Sequence, residues 1–323
     1  MSWMLKNYSP FRKSVIRNHL CNKAASYSSP EVLEARLQVL KPILLEEALV
    51  RDMHGGDWWQ YIKAWINDLP EQCHPKAREL LKQIGKNKRL RTVAYCGVDK
   101  PCCPQTWFDE AIASHNWENL IGIIASKEVA RQHRTNPAIT SIEQLTNHAW
   151  LQRRGASIRL PKQSSDYLAN LRLLLSQANS IQFIDPYLDP TQPHYEQFYF
   201  LLKAIKQRDC PPLLELHTSA KGTDVTGQER KHLTQSDWKS RFSSLSAVVQ
   251  DVGLTATVYV WEKFHDRFIL SNLASIGLSS GLDIHPHEPT IWSRLPRDLR
   301  DQCQSDFSAN SAKYNLKCKF ILS

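Results

Sequence analysis

A chain of 323 residues, 42% hydrophobic and 23% charged, has room for two domains and a sizeable buried core. That composition excludes disordered and fibrous classes, shows no internal repeat, and offers no run of about 18 uncharged apolar residues to span a membrane. Lys and Arg number 41 against 32 Asp and Glu, so the net charge of +9 favours an anionic partner: nucleic acid or an acidic membrane surface.

Before Glu31 the chain carries Lys6, Arg12, Lys13, Arg17 and Lys23 with no acid among them. Such an arm is suited to tracking a phosphate backbone, or to serving as a transit peptide, and no apolar stretch marks a secretory signal. Ser29-Pro30-Glu31 is a helix start, and Leu33, Leu37, Leu40, Ile43, Leu44 and Leu49 continue at helical spacing up to Gly55-Gly56. A second, aromatic-rich helix is expected over 57–66 and a third over 75–84, with strands over 91–96 and 120–124. The Trp and Tyr residues of these helices have the composition of a base-stacking surface, but their helical spacing reads better as core. The eight cysteines form no CxxC pair, so neither a disulfide framework nor a regular zinc site is expected, although Cys73-His74, Cys96 and Cys102-Cys103 have ligand character. Residues 1–150 therefore read as a helix-rich α+β domain without identifiable chemistry.

From residue 151 the rhythm is regular. A helix over 166–179 precedes the strand Ile181–Ile184, which runs into Asp185-Pro186-Tyr187. A helix over 195–208, a strand over 213–217, a long helix over 229–249 and a strand over 255–261 follow, with a further extended run at Phe268–Leu270. This alternation argues for an α/β domain with a central, partly parallel sheet over 151–323. Ligands of such sheets bind beyond the carboxyl ends of the strands, and Asp185, His217 and His265 all fall at or just after strand ends.

The segment Lys263-Phe264-His265-Asp266-Arg267 places an imidazole two residues from a guanidinium. On a strand this spacing would turn both to one face, where Arg offers a fork of donors to phosphate oxygens and His can attack phosphorus or move a proton. Asp266 would then point the opposite way. His265-x-Arg267 followed at the fifth position by Asn272, and then by Gly277-Leu278-Ser279-Ser280-Gly281-Leu282-Asp283, resembles the phospholipase D superfamily mark His-x-Lys-x-x-x-x-Asp with its later Gly/Ser-rich turn. The match is similar to the phospholipase D-like C-terminal domain of eukaryotic microtubule-interacting-and-trafficking domain proteins, where His-Asp-Arg precedes Gly-Leu-Asp. It is also similar to bacterial phospholipase D-like proteins, whose Ile-Asp-Pro-Tyr strand end is matched by Ile184-Asp185-Pro186-Tyr187.

The resemblance covers residues 151–323 and implies a phospholipase D-like mixed sheet flanked by helices. In catalytic members two histidine motifs face one another, one His carrying the phosphoryl group, with no metal or other cofactor. In the trafficking relatives the fold binds acidic lipid without known catalysis. This chain departs from the catalytic pattern, because Arg267 stands for Lys, Asn272 stands for Asp, and a second His-x-Arg motif is missing. A catalytic version would need a homodimer pairing two copies of His265, or His217 as the second histidine.

In the enzyme reading His265 is the nucleophile, Arg267 and Asn272 hold phosphate, and Ser279 or Ser280 positions it. Asp185 belongs either to that site or only to its turn. Arg159 and Arg153-Arg154 either extend a phosphate-binding surface or form a solvated basic segment, and His285-Pro286-His287 has chelating composition without a third ligand. The expectation is a cytoplasmic, metal-independent phosphodiesterase of the nuclease type. The alternatives are a non-catalytic module binding nucleic-acid or lipid phosphates, and a subunit of a larger assembly such as a bacterial anti-phage defence complex.

Overall fold

The computed structural model describes residues 14–16, 29–94, 101–118, 122–148, 156–205, 211–224 and 227–323. The basic arm other than the 14–16 backbone, Cys96 and Arg153-Arg154 lie outside these residues. The described residues fall into two compact units, divided between Arg12–Arg154 and Gly155–Ser323.

In the first unit, β1 (Ser14–Ile16), β4 (Gly122–Ala125) and β5 (Ile139–Ser141) form a parallel sheet of order β1-β4-β5, and β2 (Val50–Asp52) pairs in parallel with β3 (Leu90–Thr92). Leu33, Leu37 and Leu40 of helix Pro30–Pro42 pack with Trp58, Ile62, Trp107 and Phe108 in one core. The first helix stops short of the expected Gly55-Gly56. Pro42 has no N–H with which to continue the ladder, a single π turn (Ile43–Glu47) follows, and Val50 N instead donates to Arg89 O at 2.7 Å. Trp58 and Trp107 are buried, so these rings are core rather than a stacking surface.

The second unit is built on eight strands: β6 (Ser157–Lys162), β7 (Ser180–Ile184), β8 (Leu213–Ser219), β9 (Ala256–Trp261), β10 (Phe268–Ser271), β11 (Ile276–Leu278), β12 (His285–Arg294) and β13 (Leu316–Leu322). Their order is β13-β9-β8-β7-β10-β11-β12-β6. The central β7, β8 and β9 are mutually parallel, and every outer pairing is antiparallel, so the sheet is mixed.

Period-two alternation sorts the central strands between two layers. Ile181, Phe183, Leu214, Leu216, Val258 and Val260 face helices Ser164–Gln177, Tyr199–Lys203 and Gln235–Asp251. Those helices answer with Leu171, Leu174 and Leu175, with Leu201 and Leu202, and with Trp238, Phe242, Leu245 and Val249, each buried side chain contributing roughly 1.5–3 kcal/mol. Ile184, Tyr259, Trp261 and Leu270 face the other way, against Cys303 and Phe307 at helix Arg297–Asp306.

The long helix begins at Gln235 rather than near Glu229, because Thr234 and Asp237 form a capping box. Arg230–His232 ahead of it is a 3-10 turn. The segment expected as one helix from Tyr195 is a 3-10 turn, Pro193–Phe198, followed by the short helix. Among the described residues no helix is long and apolar enough to cross a membrane.

Candidate functional site

Three connections leave the carboxyl ends of β7, β8 and β9 side by side, and backbone bonds tie them together. Asp185 N donates to His217 O (3.1 Å), Ser219 N to Pro186 O (3.1 Å), and Ala220 N to Trp261 O (2.7 Å). Along this rim stand Asp185-Pro186-Tyr187, Lys221, and the segment from Lys263 to Arg267.

His265 and Arg267 are not on a strand, as their spacing had predicted. They lie in the connection between β9 and β10, which begins at Phe268. The i, i+2 argument therefore does not place them, and two other contacts do. Lys221 Nζ lies 3.2 Å from the exposed His265 Nε2; an ammonium can only donate, so the imidazole accepts. The Arg267 guanidinium lies over the Tyr187 ring, 5.3 Å from its centroid, while its Nη1 donates to His265 O at 3.4 Å. Arg267 Nε is buried and has no hydrogen-bond partner among the described residues. Asp266 turns away, bonded by the Tyr314 hydroxyl and 3.8 Å from Lys313 Nζ.

Beneath this rim Asp185 is fully buried. Its Oδ1 accepts from Tyr187 N (3.0 Å), and its Oδ2 accepts from the Tyr195 hydroxyl (2.8 Å) and Leu282 N (2.7 Å). Burial pushes its carboxyl above the usual aspartate range, against the pull of those three donors and the nearby Arg267 charge. The same burial, with Asp185 and Asp283 nearby, pushes the Tyr195 phenol well up. Gly281 closes the cage: a Cβ there would fall 2.6 Å from Asp185 Oδ2, 2.7 Å from Tyr195 Oη and 2.9 Å from Asp283 Oδ1. Asp283 accepts from the buried Lys162 Nζ at 2.7 Å, and its carbonyl accepts from the Tyr167 hydroxyl at 3.1 Å.

The turn carrying Tyr187 is clamped from outside as well. Pro186 O accepts from Ser219 N, from Arg230 Nη1 at 3.2 Å and from Thr218 Oγ1 at 3.4 Å. The buried Arg230 is packed over Trp238, 4.8 Å from the ring centroid.

Of the residues singled out from sequence, the structure brings together His265, Arg267 and the Asp185 turn. It disperses the others. His217 does not serve as a second histidine at the rim, because its register with Ile184 puts it on the opposite sheet face from Asp185. There it is fully buried, stacked on Tyr259 at 4.8 Å, with Nδ1 accepting from Trp261 Nε1 (3.0 Å) and Nε2 facing Glu215 at 3.3 Å. Burial lowers its pKa, which fits a neutral ring with its proton on Nε2.

Asn272 follows the far end of β10, where its Oδ1 accepts from Asn179 N at 2.7 Å; the antiparallel pairing of β10 with β7 carries it away from Asp185. It braces the start of β7 rather than holding a ligand beside Arg267. Arg159 lies exposed on the edge strand β6, separated from β10 by β11 and β12, so roughly 14 Å of sheet lies between. It is not part of the cluster. The Ser279 hydroxyl accepts from Ile291 N at 2.9 Å and fixes the β11–β12 connection. Ser280 Oγ, by contrast, is buried without a partner in the segment entering the cage.

Sequence reasoning missed Lys221, Tyr195, Arg230 and Lys162. Lys221 carried a signal, since it follows a strand end within two residues. The other three act through partners that no helix or strand spacing links to them, 10, 12 and 121 residues away. Among the described residues no three or more His, Cys, Asp or Glu side chains are grouped to hold a metal ion.

No family model matches the chain, and no curated protein matches it. Among solved structures it is similar to TrmBL2, an archaeal chromatin protein whose structure shows a novel mode of DNA binding. The identity is 10%, over 77% of this chain and 83% of that one, with a TM-score of 0.30. A likeness at that level says nothing of this chain's fold family or function.

Proposed function

We propose that the unit Gly155–Ser323 is a phospholipase D-like module that binds phosphate groups of nucleic acid through Lys221, His265 and Arg267. One observation carries the reading: Arg267 is anchored over Tyr187 with a buried, unpartnered Nε, beside two further side chains able to donate to an oxyanion. The placement at the carboxyl ends of parallel strands supports it. Binding is favoured over turnover because the histidine offered as a partner for His265 is buried on the other sheet face.

The test is anisotropy of labelled single- and double-stranded oligonucleotides across a salt series. Lys221 and Arg267 neutralise two phosphates, which gives a log K against log salt slope of about −1.4 on single strands, and Arg267→Ala lowers its magnitude by about 0.7. Binding insensitive to salt and to that substitution overturns the proposal, and so does capture by acidic phospholipid vesicles but not by oligonucleotides.

A second reading, metal-independent phosphodiester cleavage, is favoured by one observation. His265 is exposed and its Nε2 is the unprotonated nitrogen, so it could attack phosphorus once Lys221 turned from that lone pair to a phosphate oxygen of the substrate. This reading requires a second copy of the chain to supply the other histidine. Cleavage in EDTA that is lost in His265→Ala would establish it, and no cleavage by wild type would remove it.

A further inference from the structure

Tyr187 cannot pair with a phosphate charge itself and toward phosphate only supports Arg267, yet the fold fixes its backbone at several points. It exposes 47% of its surface at the rim, a large exposed area for an aromatic ring. Its backbone is fixed from both sides: Tyr187 N donates to the buried Asp185 Oδ1, Leu188 N donates to Asp185 O at 3.1 Å, and the preceding Pro186 carbonyl receives three donors. A ring presented on so rigid a turn loses little conformational freedom when a second planar group stacks on it. The neighbouring Arg267 adds a delocalised cation that supports stacking and reaches for a phosphate at once.

We infer that Tyr187 is a nucleobase subsite, and that the module selects single-stranded nucleic acid, with one base stacked on Tyr187 and the adjoining phosphate on Arg267, Lys221 and His265. This rests on the phosphate-binding reading above and adds its substrate class. Duplex DNA or RNA keeps the faces of its bases inside the helical stack, so it offers phosphates and base edges but no base face to an exposed ring. Splayed bases of a single strand can reach an exposed ring, and such stacking tolerates any sequence because every base has a π face.

The experiment uses the full chain and two ligands: a labelled oligothymidylate, and inorganic tripolyphosphate as a competitor that carries phosphates but no base. Circular dichroism verifies that each variant is folded. Tyr187→Ala is expected to weaken oligothymidylate binding about 5- to 100-fold and to weaken tripolyphosphate competition by a clearly smaller factor, the part that comes from losing the ring under Arg267. Tyr187→Trp, which keeps a stacking face, is expected to hold or raise the affinity. In wild type a blunt duplex of equal phosphate count binds more weakly than the single strand, and Tyr187→Ala removes that difference.

Equal loss toward both ligands would overturn the base subsite, because Tyr187 would then only support Arg267. So would no loss toward either. If wild type binds neither oligothymidylate nor tripolyphosphate, the phosphate-binding reading itself falls, which is a different result from these.

Discussion

Replacing Gly281 by Ala tests whether the Asp185 cage is as tight as its geometry states. The added Cβ would meet three oxygen atoms inside 3.0 Å, at 2.6, 2.7 and 2.9 Å. Two of them belong to Asp185 and Tyr195, whose side chains are buried and bonded to each other at 2.8 Å, so neither is a flexible tip free to swing aside. Overpacking of this kind costs about 1–3 kcal/mol, and separating Tyr195 from the carboxylate costs about 1.5–3 kcal/mol, with the two effects overlapping. A total of about 2–4 kcal/mol lowers the melting temperature of a unit this size by roughly 4–16 °C. Calorimetry reads the shift, and two other glycines serve as controls. Gly277→Ala brings a Cβ to 3.2 Å from the Leu295 side chain, which can yield, and Gly85→Ala meets nothing within 4 Å. Tyr195→Phe in the Gly281→Ala background removes one of the three clashes and should recover part of the loss. A Gly281→Ala protein as stable as the Gly277→Ala protein would refute the close packing of this cage.

Asp185 makes stability depend on pH with a definite sign. Burial raises its carboxyl, so the native state holds that proton more tightly than the unfolded chain does. Its contribution is complete below the unfolded value and is lost as pH rises through the raised folded value. The difference in urea midpoint between wild type and Asp185→Asn isolates it from other acids, and should move in favour of the Asn protein from about pH 4 upward; a flat or opposite trend contradicts the burial argument. His217→Phe keeps a stacking ring against Tyr259 but leaves the Trp261 indole N–H without its acceptor and Glu215 with Gln182 in place of two partners. It should cost about 1–3 kcal/mol in denaturant titration and leave oligonucleotide affinity unchanged. An affinity loss as large as that of Arg267→Ala would return His217 to the site.

What the sequence by itself determined is local. Leu171, Leu174 and Leu175 at helical spacing, the short apolar runs at Ile181, Leu214 and Val258, and the turn residues between them specify a strand–helix alternation with a partly parallel sheet at its centre. That alternation also marks the strand ends, which is why Asp185 and the His265–Arg267 segment stand out in the sequence alone. Of the outer strands only β10 was legible, as the run Phe268–Leu270. β12 carries Pro286 and Pro289 and a bulge, and β13 returns from the end of the chain to pair with β9, so each exists only through its partner. The site was misjudged for the same reason. Lys221 meets His265 across 44 residues, and Leu282 meets Asp185 across 97. His217 and Asp185 are both near strand ends, yet a one-residue difference in register sends them to opposite faces. Periodicity encodes which side of its own strand a residue takes. Only the assembled sheet decides what stands across from it, because that depends on backbone pairings between segments whose sequences carry no record of one another.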